Sequence, residues 1–246
     1  MSIRCTSLNY SLSSPTIPTV GIVVLKSDEV IEDELRHWLT PNTRLLHTRI
    51  PSGDSVTKES LSAMESALPN ALSLLPTDAP ISVIAYGCTS GTTVIGEEKV
   101  AQLVHDVFPK AVVTNPLTAV KAKLHDLSAK KVALLTPYEP TVSQALHDHL
   151  TQHGIDIVSF GSFNEPLESN VSRIDQESLM TAIKTLHDQA HCDAIFASCT
   201  NLRTANWLDH FSAVLGTPVL SSNSALSWHI NQLTSNAQRS TVVFSA

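Results

Sequence analysis

Short, continuous apolar runs alternate along this chain with longer amphipathic stretches, and the alternation is run through twice. Residues 20–25 contain only apolar side chains and one glycine, the pattern of a strand buried on both faces. Residues 45–50, 81–86 and 111–114 read as further strands. Between them, 30–39 and 95–108 have helical patterns. Residues 59–75 place Leu61, Met64, Leu68, Leu72 and Leu75 at helical spacing, with Pro69 interrupting or kinking the helix. The cycle then restarts. Strands are expected at 131–135, 155–160, 194–197 and 218–220, and helices at 140–153, 176–189 and 204–215. Strand and helix in regular alternation mark parallel α/β architecture.

The two cycles share more than their order. Val83-Ile84-Ala85-Tyr86-Gly87-Cys88-Thr89-Ser90 and Ala194-Ile195-Phe196-Ala197-Ser198-Cys199-Thr200-Asn201 are versions of one motif. In each, an apolar run ends in a small residue, then Cys-Thr, then a polar side chain, and a helix-like segment follows. Residues 113–119 and 220–226 also correspond, each after a short strand. The cysteines stand about one small domain apart, so an internal duplication is the economical explanation. It predicts two similar lobes with parallel sheets related by pseudo-twofold symmetry, and an active site in the cleft between their strand C-terminal ends. The expected division is a loose leader over 1–18, a first lobe over 19–122 that 225–246 could complete, and a second lobe over 123–224.

Composition narrows the function. Among 246 residues, 16 basic against 23 acidic side chains give a net charge of −7, without a basic run. That argues against nucleic acid and anionic membranes as partners. No apolar stretch reaches the roughly 18 residues of a membrane span, and the Ser/Thr-rich start has no apolar core of a secretory signal. A cytoplasmic location with free thiols is the expectation. The four cysteines, at 5, 88, 192 and 199, lack metal-ligand spacing. His147, His149 and His153 share one expected helix, but no ligand pattern completes a metal site, and solvent exposure is expected for them. Cys5 and Cys192 lie outside the motifs and are expected to be inert.

A cysteine between a strand and a helix N-terminus sits beside exposed backbone N–H groups and the positive helix end. Both lower a thiol's pKa. The same N–H groups, with Thr89 and Ser90 or Thr200 and Asn201, could hold a carboxylate, and Gly91 would let the backbone approach it. Two facing turns would place a thiol on either side of one carbon. That suits proton removal from one face and return to the other. It suits equally thiolate addition to a double bond, rotation and elimination. Neither route needs a metal or pyridoxal, and no motif for either cofactor is present.

With these residues in view, the chain resembles the aspartate/glutamate racemase superfamily, and more closely its maleate isomerase and arylmalonate decarboxylase branch. The likeness runs from about residue 20 to about residue 233. It rests on Gly87-Cys88-Thr89-Ser90-Gly91, Ser198-Cys199-Thr200-Asn201 and Leu134-Leu135-Thr136-Pro137-Tyr138. The resemblance implies a cofactor-independent enzyme of two Rossmann-like lobes. Cys88 would be nucleophile or base, Cys199 the opposing acid, and Tyr138 a hydrogen-bond donor to a substrate carboxylate. Asn170 matches a second-lobe loop asparagine, with Asn164 a competitor in the same stretch.

Two departures bear on substrate. Arylmalonate decarboxylases typically keep only the second cysteine, so Cys88 disfavours decarboxylation. Maleate isomerases carry Asn where this chain has Asp28. An ionised Asp28 would repel a substrate carboxylate and attract an ammonium group, unless it only caps the following helix. The pattern also resembles EutA-type proteins associated with ectoine breakdown. Arg203 could face the cleft as a carboxylate partner. The reading is therefore an isomerase acting on a small carboxylate or amino acid, with racemisation or epimerisation of an amino acid or N-acylated amino acid first. Maleate-type cis–trans isomerisation through a Cys88 adduct is the alternative. A decarboxylase or a non-catalytic carboxylate-binding protein comes third. A homodimer is compatible with the sequence but not specified by it.

Overall fold

The computed structural model describes residues 5–13, 17–53, 55 and 57–243. Of the expected leader, 1–4 and 14–16 lie outside the described residues, and 5–13 carry no regular structure. The first unit runs β1 (Thr19–Leu25), α1 (Ile31–Trp38), β2 (Arg44–Ile50), α2 (Lys58–Leu72) and β3 (Ile81–Gly87). It continues with α3 (Thr89–Ile95), α4 (Glu97–His105), β4 (Val112–Thr114) and α5 (Pro116–Asp126). The second unit runs β5 (Lys131–Thr136), α6 (Pro140–Gln152), β6 (Asp156–Ser162), α7 (Glu168–Val171) and α8 (Gln176–Gln189). It closes with β7 (Ala194–Ala197), α9 (Leu208–Leu215), β8 (Val219–Ser221) and α10 (Ser222–Val243).

Two separate parallel sheets result, with orders β2-β1-β3-β4 and β6-β5-β7-β8. The orders superimpose element for element, so the duplication read from the cysteine motifs is also a duplication of topology. Every β1 residue is buried, as an apolar run covered by helices on both sides requires. The register pairs Val24 with Gly87 and Leu25 with Ile50. This sets the β1–α1 turn beside the end of β3. In the second sheet, Leu135 opposite Ala197 does the same for β5 and β7.

The structure corrects several expected helices. The helix after Cys88 starts at once, at Thr89, and breaks at Gly96, whose φ of 94° only glycine adopts without strain. The sequence pattern had pointed to one helix over 95–108. α2 runs through Pro69 and ends within a turn of it. The helix expected from Thr204 begins only at Leu208. Asn115 accepts from the Thr118 N–H at 2.8 Å, and Pro116 follows it. This cap and first-position proline start α5, an arrangement favoured at helix N-termini. Helix α10 packs back on α1 and α5, and Asn231 Nδ2 donates to the Trp38 carbonyl at 2.9 Å. Among the described residues, no helix is long and apolar enough to cross a membrane.

Candidate active site

Both cysteines of the repeated motif lie at the C-terminal ends of central strands, Cys88 after β3 and Cys199 after β7. They are buried free thiols. Cys88 caps α3, its Sγ accepting from the Gly91 N–H at 3.1 Å, with Ser90 Oγ at 3.6 Å. Cys199 sits in a turn with no helix directly behind it, and its Sγ accepts from the Asn201 N–H at 3.4 Å. The expected equivalence of the two turns as helix N-termini therefore holds for the first only.

One hydroxyl ties the two turns together. Ser222 Oγ accepts from the Cys199 N–H at 3.0 Å and lies 2.7 Å from Thr89 Oγ1. Thr200 Oγ1 donates to the Gly87 carbonyl at 3.5 Å, a second link between the residues flanking the thiols. Tyr138, at the end of β5, is fully buried. Its hydroxyl is 3.5 Å from Ser198 Oγ. Burial raises the phenol well above its ordinary value, and the Cys199 and Cys88 charges add to the shift.

The first turn is shaped around its sulfur. A Cβ on Gly91 would stand 2.7 Å from Tyr86 Oη, 2.9 Å from Cys88 Sγ and 3.0 Å from Met64 Cε. The glycine is needed for the approach of the thiol and of Tyr86, rather than for the approach of a ligand expected from the sequence. Thr89 and Ser90 are buried and already engaged, Thr89 with Ser222 and Ser90 with the Cys88 sulfur.

Two buried carboxylates act on the thiols through their charge. Asp28, 4% exposed, accepts from the Val30 and Ile31 N–H groups through Oδ1, both at 2.8 Å. That oxygen caps the start of α1, while Oδ2 is buried without a hydrogen-bond partner. Of the two roles weighed for Asp28, the capping one falls to Oδ1, and Oδ2 takes no part in it. The second carboxylate, Glu168 on α7, carries no pattern that marks it in the sequence. It accepts from Asn201 Nδ2 at 2.8 Å. The same amide nitrogen donates to the Glu168 carbonyl, and Asn201 Oδ1 accepts from the Glu29 N–H at 3.0 Å. Asn201 is therefore consumed in holding Glu168 and the β1–α1 turn, and is not free for substrate.

Asn170 and Asn164 are exposed. The structure brings neither into the enclosure; the buried residue of that loop is Glu168. Arg203 also lies outside, its Nε donating to the Ser172 carbonyl at 3.1 Å. With Glu29, His37, Arg173 and Trp207 it lines a cavity of about 710 Å³. Glu34, also in the lining of this cavity, joins the lobes. Its carboxylate takes bonds from the Thr204 hydroxyl and N–H, from the Ala205 N–H at 2.8 Å and from Asn223 Nδ2 at 2.9 Å.

The electrostatics reverse one expectation. Burial pushes the Cys88 thiol up to about 12, against the Ser90 and Gly91 hydrogen bonds that lower it, and the Glu168 and Asp28 charges push it further. Cys199 is raised by burial and by the same two carboxylates. Desolvation thus outweighs the helix terminus that was expected to favour thiolate. Burial also raises Glu168 to about 7, with Asp28 adding to the shift. Asp28 itself is raised by burial despite its two backbone bonds.

The histidine trio is only partly solvated. His149 Nε2 lies 3.2 Å from Glu97 Oε2 on the other lobe, and its ring stacks on His153. Glu97, His149 and His153 could group around an ion. The Lys121 ammonium already bonds that carboxylate, which supplies the positive charge there. Cys5 is exposed and Cys192 buried, both free thiols.

Two cysteine turns from duplicated α/β units are thus joined through one hydroxyl, and comparison with known proteins gives the chain a family. The sequence profile of the arylmalonate decarboxylase family matches residues 81–243. The chain belongs to that family, within the maleate isomerase and arylmalonate decarboxylase branch of the aspartate/glutamate racemase superfamily. It is 26% identical to a maleate isomerase of Geobacillus stearothermophilus, over 86% of this chain and 89% of the relative. It is 27% identical to one of Nocardia farcinica, over 87% and 89%. A solved Nocardia farcinica maleate cis-trans isomerase variant, carrying a covalently bound succinylcysteine intermediate, superimposes with a TM-score of 0.81. The match has 25% identity and covers 88% of this chain and 92% of that one. A variant of arylmalonate decarboxylase gives a TM-score of 0.74 at 26% identity, over 89% and 94%. The chain is an enzyme of the isomerase class.

Proposed function

We propose that this protein is a cofactor-independent isomerase of a small carboxylate, with Cys88 and Cys199 working from opposite sides of the bound molecule. The observation that carries the reading is the junction of the two cysteine turns on one hydroxyl, Ser222. It draws together two thiols from duplicated strands and leaves the Tyr138 phenol beside them. In the chemistry that the succinylcysteine of the Nocardia farcinica relative suggests, the Cys88 thiol first gives up its proton to a base, its thiolate bonds to one carbon of a cis double bond, and Cys199 gives its proton to the neighbouring carbon. Rotation about the new single bond follows. Return of the proton to Cys199 and departure of Cys88 then leave the trans acid. Tyr138 holds a substrate carboxylate in this scheme.

A second reading is favoured by Asp28. An acid with a free buried oxygen suits the ammonium group of an amino acid. One thiol would then take the Cα proton and the other return a proton to the opposite face, which is racemisation or epimerisation. One assay separates the two. Purified protein, dialysed against chelator, is incubated in deuterated water with a panel of cis-unsaturated acids and of single-enantiomer amino acids and N-acyl amino acids. A trans product, whatever its deuterium content, supports the first reading. Deuterium at Cα with loss of optical purity supports the second. No conversion of any panel member would overturn both.

A further inference from the structure

We infer that Glu97, His149 and His153 form a binding site for a zinc-type divalent transition cation, which clamps the two lobes together. The sequence offers two histidines one helical turn apart, and the fold adds a carboxylate from the other lobe. Glu97 opens α4, beyond the break at Gly96, while both histidines lie on α6. One ligand atom from each of the three residues lies within 4.8 Å of the other two. Zinc bonds of about 2.0–2.1 Å hold tetrahedral ligands about 3.3–3.4 Å apart. A short movement of the exposed His153 ring closes the set.

The hydrogen bonds behind these groups already orient them as ligands. His153 Nδ1 lies 2.7 Å from the His149 carbonyl, which can only accept, so Nδ1 carries the proton and Nε2 keeps its lone pair. Metal-binding imidazoles are held by such bonds. Thr118 donates to Glu97 Oε1, and Asn115 Nδ2 donates to Thr118 Oγ1 at 2.9 Å. That chain holds one carboxylate oxygen and leaves Oε2 to the Lys121 ammonium and to His149 Nε2, 3.2 Å away. An entering cation replaces both donors at Oε2. His149 Nε2 gives its proton to solvent, and Lys121, with its side chain 20% exposed, turns outward on its flexible stem. Two imidazoles and one carboxylate suit zinc, whereas magnesium and calcium take oxygen ligands.

The test reads binding to full-length protein stripped by chelator and dialysed free of it. Cys5→Ser serves as the parent throughout, which removes the exposed thiol as a competing zinc ligand. Calorimetric titration should give a zinc dissociation constant of about 1–10 µM, with no binding of magnesium at about 1 mM. His149→Ala, His153→Ala and Glu97→Gln should each weaken zinc at least about tenfold, and His147→Ala, on the same helix, should leave it unchanged. Lys121→Met removes the competing ammonium and should tighten zinc at least about threefold. With zinc at about 100 times its dissociation constant, the thermal midpoint of the parent should rise by about 5–10 °C, and that of His153→Ala by about half as much or less. His153 is exposed, so its variant tests the site even where Glu97→Gln loosens the contact between the lobes. Unchanged affinity in His153→Ala or in Glu97→Gln, an equal loss in His147→Ala, or no saturable zinc binding below about 1 mM overturns the proposal.

Discussion

The two cysteine turns come from matching strands of matching sheets, yet their surroundings differ. The Cys88 turn is a helix cap: Gly91 closes over the sulfur, and α3 starts at the next residue. The Cys199 turn has Leu202, buried, where the first has Gly91, and no helix until α9. Its Asn201 is wired to Glu168 and to the β1–α1 turn instead. Duplication has preserved where the sulfurs sit and divided the work around them. One turn shapes a thiol, and the other ties the acids and the covering loops to its partner.

The largest expected effect is on thiol reactivity. With Cys88 held up to about 12 and both thiols buried, iodoacetamide at mildly alkaline pH should label exposed Cys5 at least ~10³-fold faster than Cys88 or Cys199. Mass-resolved labelling kinetics on the unliganded protein checks this. Comparable rates at Cys88 and Cys5 would mean that the helix terminus, not burial, governs the first turn.

Next in size is the acid held by the second turn. Glu168 is raised from 4.5 to about 7, so between those values the folded chain binds a proton that the unfolded chain has released. Stability should fall as pH rises through that window, by about 3 kcal/mol at most for this group. Asp28 and Glu34, also raised by burial, contribute the same sign. Urea unfolding at a pH of about 5 and again at about 7.5 should show a shallower pH dependence in Glu168→Gln than in the parent. An identical dependence would remove Glu168 from the buried, charge-coupled position described here.

A smaller effect tests the glycine that only the first turn requires. Gly91→Ala puts a Cβ within 3.0 Å of Tyr86, Cys88 and Met64 atoms, an overpacking that should lower stability by about 1–3 kcal/mol. Turnover should fall with it, because the Cys88 sulfur is the atom displaced. Unaltered stability and turnover would show that the turn has slack, and that its glycine does not set the position of the thiol.

Much of this organisation was legible in the residues. Continuous apolar runs such as 20–25 can be little else than buried strands, and the repeated Cys-Thr motif showed the duplication. Less visible was α3, because Thr-Ser-Gly-Thr-Thr has poor intrinsic helix propensity and is held helical by its cap and by burial. α10, rich in Ser and Asn, carries little amphipathic signal. In the site, Cys88, Cys199 and Tyr138 were readable from their motifs. Glu168 was not, since nothing in Leu167-Glu168-Ser169-Asn170 distinguishes the buried residue from the exposed ones. Asn201 was legible as a polar residue behind a thiol, but its partner lies on another loop, and only the fold shows that its amide is taken.

The central claim, that Cys88 and Cys199 act as one unit on one substrate, is tested most directly by a set of four proteins. Turnover of the substrate found in the isomerase assay is compared for the parent, Cys88→Ala, Cys199→Ala and the double variant, with circular dichroism confirming an intact fold. The account predicts that each single variant loses at least ~10³-fold and that the double variant is no worse than either, as for groups that work together. Near-parental turnover in either single variant, or losses that multiply in the double, would contradict it.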